Sequence, residues 1–300
     1  MENWSSEHGK VRLRSGDAPT VAAANSAFAS VIAAFRQGQL NVARDAALKL
    51  LEEHPDYTNA WHLLGQVARA RGDAAAAVKC LKEAVRSAPG NYALHNDLGL
   101  ALQSRGRYRQ ALTALEQAHE LAPERVEPVL NCANVLARLD RIEEAIERYR
   151  QALRLAPDHL PTLTNLAALF ESDGRLKAAS QAVKKALVQG PDSAPVQLVA
   201  AKLERRAGLH DKAIRRLMVH LRPELTDQQQ ALMHREIALS LDEKGEFEDA
   251  IQAFKRANGI FERLARGNHS RAHLPRRLAE TRAVVAAQAA ASPLTRADAG

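Results

Sequence analysis

Alanine recurs at Ala43, Ala77, Ala111, Ala145, Ala179 and Ala213, every step being 34 residues. A further alanine follows at Ala250 after a slip of three. A strict period of this length is one supersecondary unit copied in tandem, so the chain folds as a stacked array. The same register carries Gly38, Gly72, Gly106, Gly174, Gly208 and Gly245, with Asp140 in the remaining slot. Pro55, Pro89, Pro123, Pro157 and Pro191 share it as well. A chain of 300 residues would by length alone be read as about two domains, but an array grows by adding units. Arrays of this kind bind ligands and seldom catalyse.

The stretch Thr58–Asn91 shows the unit most clearly. Trp61, Leu64, Gly65 and Ala68 lie on one helical stripe. Gly72-Asp73 breaks the helix, Ala77, Leu81 and Ala84 form a second stripe, and Pro89 ends the unit. Small residues at Gly65, Ala77 and Ala84 let the paired helices approach. W-x2-L-G near the start, an alanine in the second helix and a terminal proline resemble the tetratricopeptide repeat. The resemblance implies an all-α, right-handed superhelical solenoid of about seven helix-turn-helix units. On this register the units run 24–57, 58–91, 92–125, 126–159, 160–193, 194–227 and 231–264. Residues 1–23 are polar and read as a disordered leader. Residues 265–300 form a basic tail, with 274–291 expected to be a capping helix. The sixth unit departs most, with Glu204 and His220 where apolar or small residues are usual and Leu225 in the proline slot. Asp140 tolerates a turn conformation and so costs its unit little.

Composition narrows the ligand. Only twelve residues are aromatic, which argues against a platform for stacking nucleic-acid bases. The formal charge is +7, but residues 265–300 alone hold six Arg against two acidic residues. Cys80 and Cys132 belong to no CxxC or Cys/His cluster, so neither a disulfide framework nor a zinc site is expected. No apolar leader and no run of membrane-spanning length occurs. These features point to a cytoplasmic setting, with no membrane partner and no metal.

In each first helix the core stripe falls at unit positions 4, 7, 8 and 11, which leaves 2, 5, 6, 9, 12 and 13 for a concave groove. Position 6 carries Asp97, Asn131 and Asn165 in three consecutive units, and Asn134 and Arg138 follow Asn131 on the same helix. A side-chain amide offers a donor and an acceptor, matching a peptide bond. A column of them could hold an extended peptide by its backbone. This resembles the asparagine ladder of the tetratricopeptide glycosyltransferase that modifies Ser/Thr with N-acetylglucosamine, with Asp97 a departure. The alternative is a solvated helix face. His62, Arg69, Arg138, Lys202, Arg205 and Arg206 are basic groove candidates. Arg138 with Asn134 is a fragment of the carboxylate clamp known in some relatives. His269 and His273, spaced i,i+4, lack a carboxylate or Cys neighbour and read as a surface pair.

There is no GxGxxG, P-loop, GxSxG or HExxH, so no enzyme, cofactor or catalytic residue is expected. The first reading is a scaffold that binds protein or peptide in its groove. The second rests on Phe254-Lys255-Arg256-Ala257-Asn258 and the helix near Leu278–Ala291. They resemble the junction at which bacterial proteins join such repeats to a sulfotransferase domain. On that reading this chain is the substrate-recognising region and the catalytic domain is absent from it. Partner identity, peptide sequence and oligomeric state have no signature here.

Overall fold

The computed structural model describes residues 21–267. The leader, apart from its last three residues, and the expected capping helix at 274–291 lie outside them, as do His269 and His273. Among the described residues there are fourteen α-helices and no strands. They fall into two compact units, one ending at Arg105 and the other starting at Gly106. The first contains α1 (Val21–Arg36), α2 (Leu40–Glu53), α3 (Thr58–Ala70), α4 (Ala74–Ser87) and α5 (Tyr92–Ser104). The second contains α6 (Tyr108–Leu121), α7 (Val126–Arg138), α8 (Ile142–Leu155), α9 (Leu160–Ser172) and α10 (Leu176–Gln189). It continues with α11 (Ala194–Arg206), α12 (His210–His220), α13 (Asp227–Lys244) and α14 (Phe247–Gly267). Within each unit consecutive helices pack on one another, the stacking expected of a tetratricopeptide array.

The helices begin and end where local chemistry directs. Asp73 accepts from the backbone N–H groups of Ala75 and Ala76 at 3.1 and 2.9 Å and so caps α4. Asn91 caps α5 through Ala93 in the same way. The turn inside a pair needs left-handed backbone. Glycine takes it at φ between 71° and 90° everywhere except Asp140, which adopts φ 60°. Asp140 is the non-glycine residue with positive φ among the described residues. The last pair starts differently. Thr226 and Gln229 form a reciprocal capping box, so α13 begins at Asp227 and runs through 228–230.

The register alanines are the floor of the core. Ala43, Ala77, Ala111, Ala145, Ala179 and Ala213 are 0% exposed and Ala250 is 2% exposed. At Gly65 an added Cβ would lie 2.6 Å from Leu81 Cγ, which fixes how closely α3 and α4 cross. Four residues beyond the register alanine stands a large core side chain in every pair but the first, which has Ala47: Leu81, Leu115, Val183, Leu217 and Phe254, with Tyr149 in the fourth pair. Tyr149 fills this apolar slot with its ring, and its hydroxyl must find a partner.

Candidate peptide-binding site

Within the units first helices of successive pairs touch directly, α1 meeting α3 in the first. In the second unit α9 meets both α7 and α11, and α11 meets α13. Side chains on this layer therefore bond from one pair to the next.

In the first unit the layer holds a closed polar cluster. His62 Nε2 donates to Asp97 Oδ2 at 2.7 Å, and Arg69 Nη1 donates to Asp97 Oδ1 at 3.2 Å. Gln66 Nε2 lies 3.4 Å from Asp97 Oδ2 and 3.2 Å from the His62 ring nitrogen. Burial pushes the Asp97 carboxyl up, but His62, Arg69 and Gln66 outweigh it and hold the group below the usual carboxylate range. An ionised carboxylate only accepts, so His62 carries a proton on Nε2. Three sequence candidates, His62, Arg69 and Asp97, thus come together, and they satisfy one another. Both oxygens of Asp97 are occupied.

In the second unit the asparagines are arranged differently. Asn165 Nδ2 on α9 donates to Asn134 Oδ1 on α7 at 2.9 Å. The same oxygen accepts from the Tyr149 hydroxyl of α8 at 2.7 Å. Burial pushes the Tyr149 phenol up, with Arg138 opposing, so the hydroxyl stays protonated and remains a donor. With Oδ1 of Asn134 holding two donors, both amides are oriented. Asn134 Nδ2, a donor, and Asn165 Oδ1, an acceptor, take no part in these two bonds, and both side chains are half-buried. Asn131, one turn before Asn134, is also half-buried, and Arg138, one turn after it, is exposed.

Three of the contacts between first helices are spaced by 31 residues, not the 34 of the repeat, whereas His62 and Arg69 reach Asp97 over 35 and 28. The three are Gln66 with Asp97, Asn134 with Asn165, and Arg205 with Glu236. Neighbouring first helices are offset by about a turn, so position 9 or 12 of one meets position 6 or its neighbour in the next. Counting identical positions in the sequence pairs Asn131 with Asn165 and misses the bond that Asn165 makes.

Sequence reading also missed the carboxylates that neutralise the basic candidates. Arg205 Nε pairs with buried Glu236 at 2.6 Å and also with Glu243. Arg206 Nε pairs with buried Glu171 at 2.6 Å. Glu204, odd at a core position, receives both Arg216 Nε and Nη2 at 2.8 and 2.7 Å, and Lys212 stands 3.2 Å away. Burial raises the Glu204 carboxyl, and these cations more than reverse that. The signal for Glu204 was visible as an acid in an apolar stripe. Glu171 and Glu236 gave none, because single-chain spacing does not say which arginine crosses to which helix.

Among the described residues no three His, Cys, Asp or Glu side chains gather into a metal site. Cys80 and Cys132 are free and buried, and burial pushes their thiols up to about 11 and about 12. No described helix is long and apolar enough to cross a membrane.

Stacked helix pairs with a shared small-residue crossing and polar contacts running from one first helix to the next define a helical repeat array. Models of the tetratricopeptide repeat match residues 28–92, 102–169 and 140–203. The chain belongs to the tetratricopeptide repeat family. No curated protein sequence matches it. Among solved structures it is similar to PilF of Pseudomonas aeruginosa, at 22% identity and TM-score 0.57, covering 66% of this chain and 90% of that one. PilW, a type IV pilus biogenesis factor, shares 18% identity at TM-score 0.61, covering 67% and 93%. Human IFIT1, solved as a dimer with m7Gppp-AAAA, shares 17% identity at TM-score 0.60, covering 74% and 55%. Matching chains number 405, so likeness at this level speaks for the fold and selects no ligand.

Proposed function

We propose that the chain is a non-catalytic scaffold that holds an extended peptide against the first helices of its second unit. The observation that carries this reading is the donor and acceptor left by the pairing of Asn134 with Asn165. A peptide unit lying across α7 and α9 would accept from Asn134 Nδ2 and donate to Asn165 Oδ1. Recognition through the backbone tolerates many sequences. Asn131 and the exposed guanidinium of Arg138 flank this pair and serve as secondary contacts, Arg138 for an acidic side chain or terminus. The cluster of His62, Arg69 and Asp97 is structural on this reading.

The test starts from peptides selected by display against the full chain. Calorimetry with Asn165→Ala should show affinity reduced about tenfold or more, the loss expected for a partner removed from a buried hydrogen bond. Scrambling the peptide at constant composition should cost less than this. Unchanged affinity in Asn165→Ala, with the fold intact by circular dichroism, contradicts the proposal.

A further inference from the structure

One stretch of the outward face of the second helices is apolar and well exposed at both of two adjacent positions. At the two adjacent positions five and six residues after the register alanine, α4 carries Lys82-Glu83, α6 Glu116-Gln117 and α8 Arg150-Gln151. In α12 the same positions are Met218 and Val219, exposed at 64% and 65%. Val188 near the end of α10 is 78% exposed at a position that is Arg154 in the preceding pair. The ends of these two helices are held together, since Asp192, just after α10, lies 3.8 Å from His220 Nε2 and 3.4 Å from Arg222 Nη2. These contacts bring the end of α10 beside the end of α12, and Val188, Met218 and Val219 all stand in the last turns of those helices. Isolated exposed apolar residues are ordinary, but three replacing charged or polar ones on neighbouring helices form a patch.

One turn toward the N-termini of the same helices lie Lys184, Lys185 and Arg215, all exposed. Among the described residues none of the three forms an ion pair or hydrogen bond. Asp211 on α12 is bound to Lys244 Nζ at 2.6 Å and feels the charge of Arg215 without pairing with it. We infer that α10 and α12 present a second interaction surface, separate from the first-helix layer, that receives an acidic amphipathic helix of a partner protein. Charge complementarity selects this occupant: apolar anchors would cover Val188, Met218 and Val219 while carboxylates on the same helix meet the three cations. A second copy presenting the same face would bring cations against cations. A flat lipid surface would meet the longer lysine and arginine side chains before the shorter apolar ones, whereas a helix can interdigitate with both.

The probe is a fluorescein-labelled amphipathic peptide of leucine and glutamate at helical spacing, titrated into the full chain by anisotropy. Its counterpart with lysine for glutamate is the control, with vesicles of phosphatidylcholine and phosphatidylserine as a third arm. The glutamate peptide should bind, and Met218→Gln with Val219→Gln should weaken it about tenfold or more, as expected for central anchors. Lys184→Ala with Lys185→Ala should also weaken it and flatten its salt dependence. All four side chains are exposed, so melting curves should match the parent. Asn165→Ala should leave this binding unchanged, which separates the surface from the proposed peptide site. Three results overturn the inference: no binding of the glutamate peptide, equal binding of the lysine peptide, or affinity indifferent to Met218→Gln with Val219→Gln. Vesicle binding that depends on Met218 and Val219 while peptide binding does not would assign the patch to lipid instead.

Discussion

Asn165 donates its side-chain amide to Asn134 at 2.9 Å, and the oxygen it uses also takes the hydroxyl of Tyr149 at 2.7 Å. A core slot filled by tyrosine where the other pairs have side chains without a hydroxyl thereby orients an amide on the first-helix layer. The chain of cause runs from core packing to the atoms offered to a ligand.

Tyr149→Phe keeps the ring and removes the donor. Stability should fall by about 1 kcal/mol, the net worth of one hydrogen bond. Peptide affinity should fall as well, because the Asn134 amide is then held by Asn165 alone. Asn134→Ala should cost more stability than Asn165→Ala, since only the former leaves a buried hydroxyl without its acceptor. Chemical denaturation of the three variants orders these effects.

The register crossings should resist enlargement. Ala111 is fully buried, and Gly65 has Leu81 Cγ at 2.6 Å from where a Cβ would stand. Ala111→Leu and Gly65→Ala should each destabilise by roughly 1–3 kcal/mol through overpacking. Melting curves that match the parent for both would contradict the crossing geometry.

Asp140 should behave in the opposite sense. Its φ of 60° is the conformation that glycine adopts in the other turns within pairs. Asp140→Gly should therefore stabilise by about 1 kcal/mol, the order of the left-handed penalty. Gly106→Ala, at φ 71°, should destabilise by a similar amount.

The Asp97 cluster supplies a pH signature. Its carboxyl is held below the usual range in the folded chain, so its contribution is present above the unfolded pKa, about 3.9. That contribution is lost as pH falls through the lower folded value. Asp97→Asn should destabilise at pH 7 by about 1.5–3 kcal/mol, as for a hydrogen bond to a charged group. The gap between parent and variant should close in strong acid. A gap that persists unchanged below pH 3 would show that the loss is steric.

The fold was legible because period, turn and crossing are local properties. Gly72 and Ala77 announce a helix pair without reference to any other residue. The polar contacts between pairs were only partly legible. Asn134, Asn165, His62, Arg69 and Asp97 stood out by residue type and position, yet their partners lie 28, 31 or 35 residues away rather than 34, so a 34-residue register conceals them. Arg205 and Arg206 read as open groove cations because Glu236 and Glu171 lie on other helices. Met218 and Val219 needed exposure, since an apolar pair in a helix reads first as core.

The central claim is that a peptide backbone is held between Asn134 and Asn165. Its most direct measurement compares a selected peptide with versions N-methylated one residue at a time, by calorimetry against the full chain. The account predicts that methylation at one peptide nitrogen reduces affinity about tenfold or more, that others matter little, and that Asn165→Ala abolishes the difference. Equal affinity for every methylated version, or a sensitive nitrogen whose effect survives in Asn165→Ala, would contradict it.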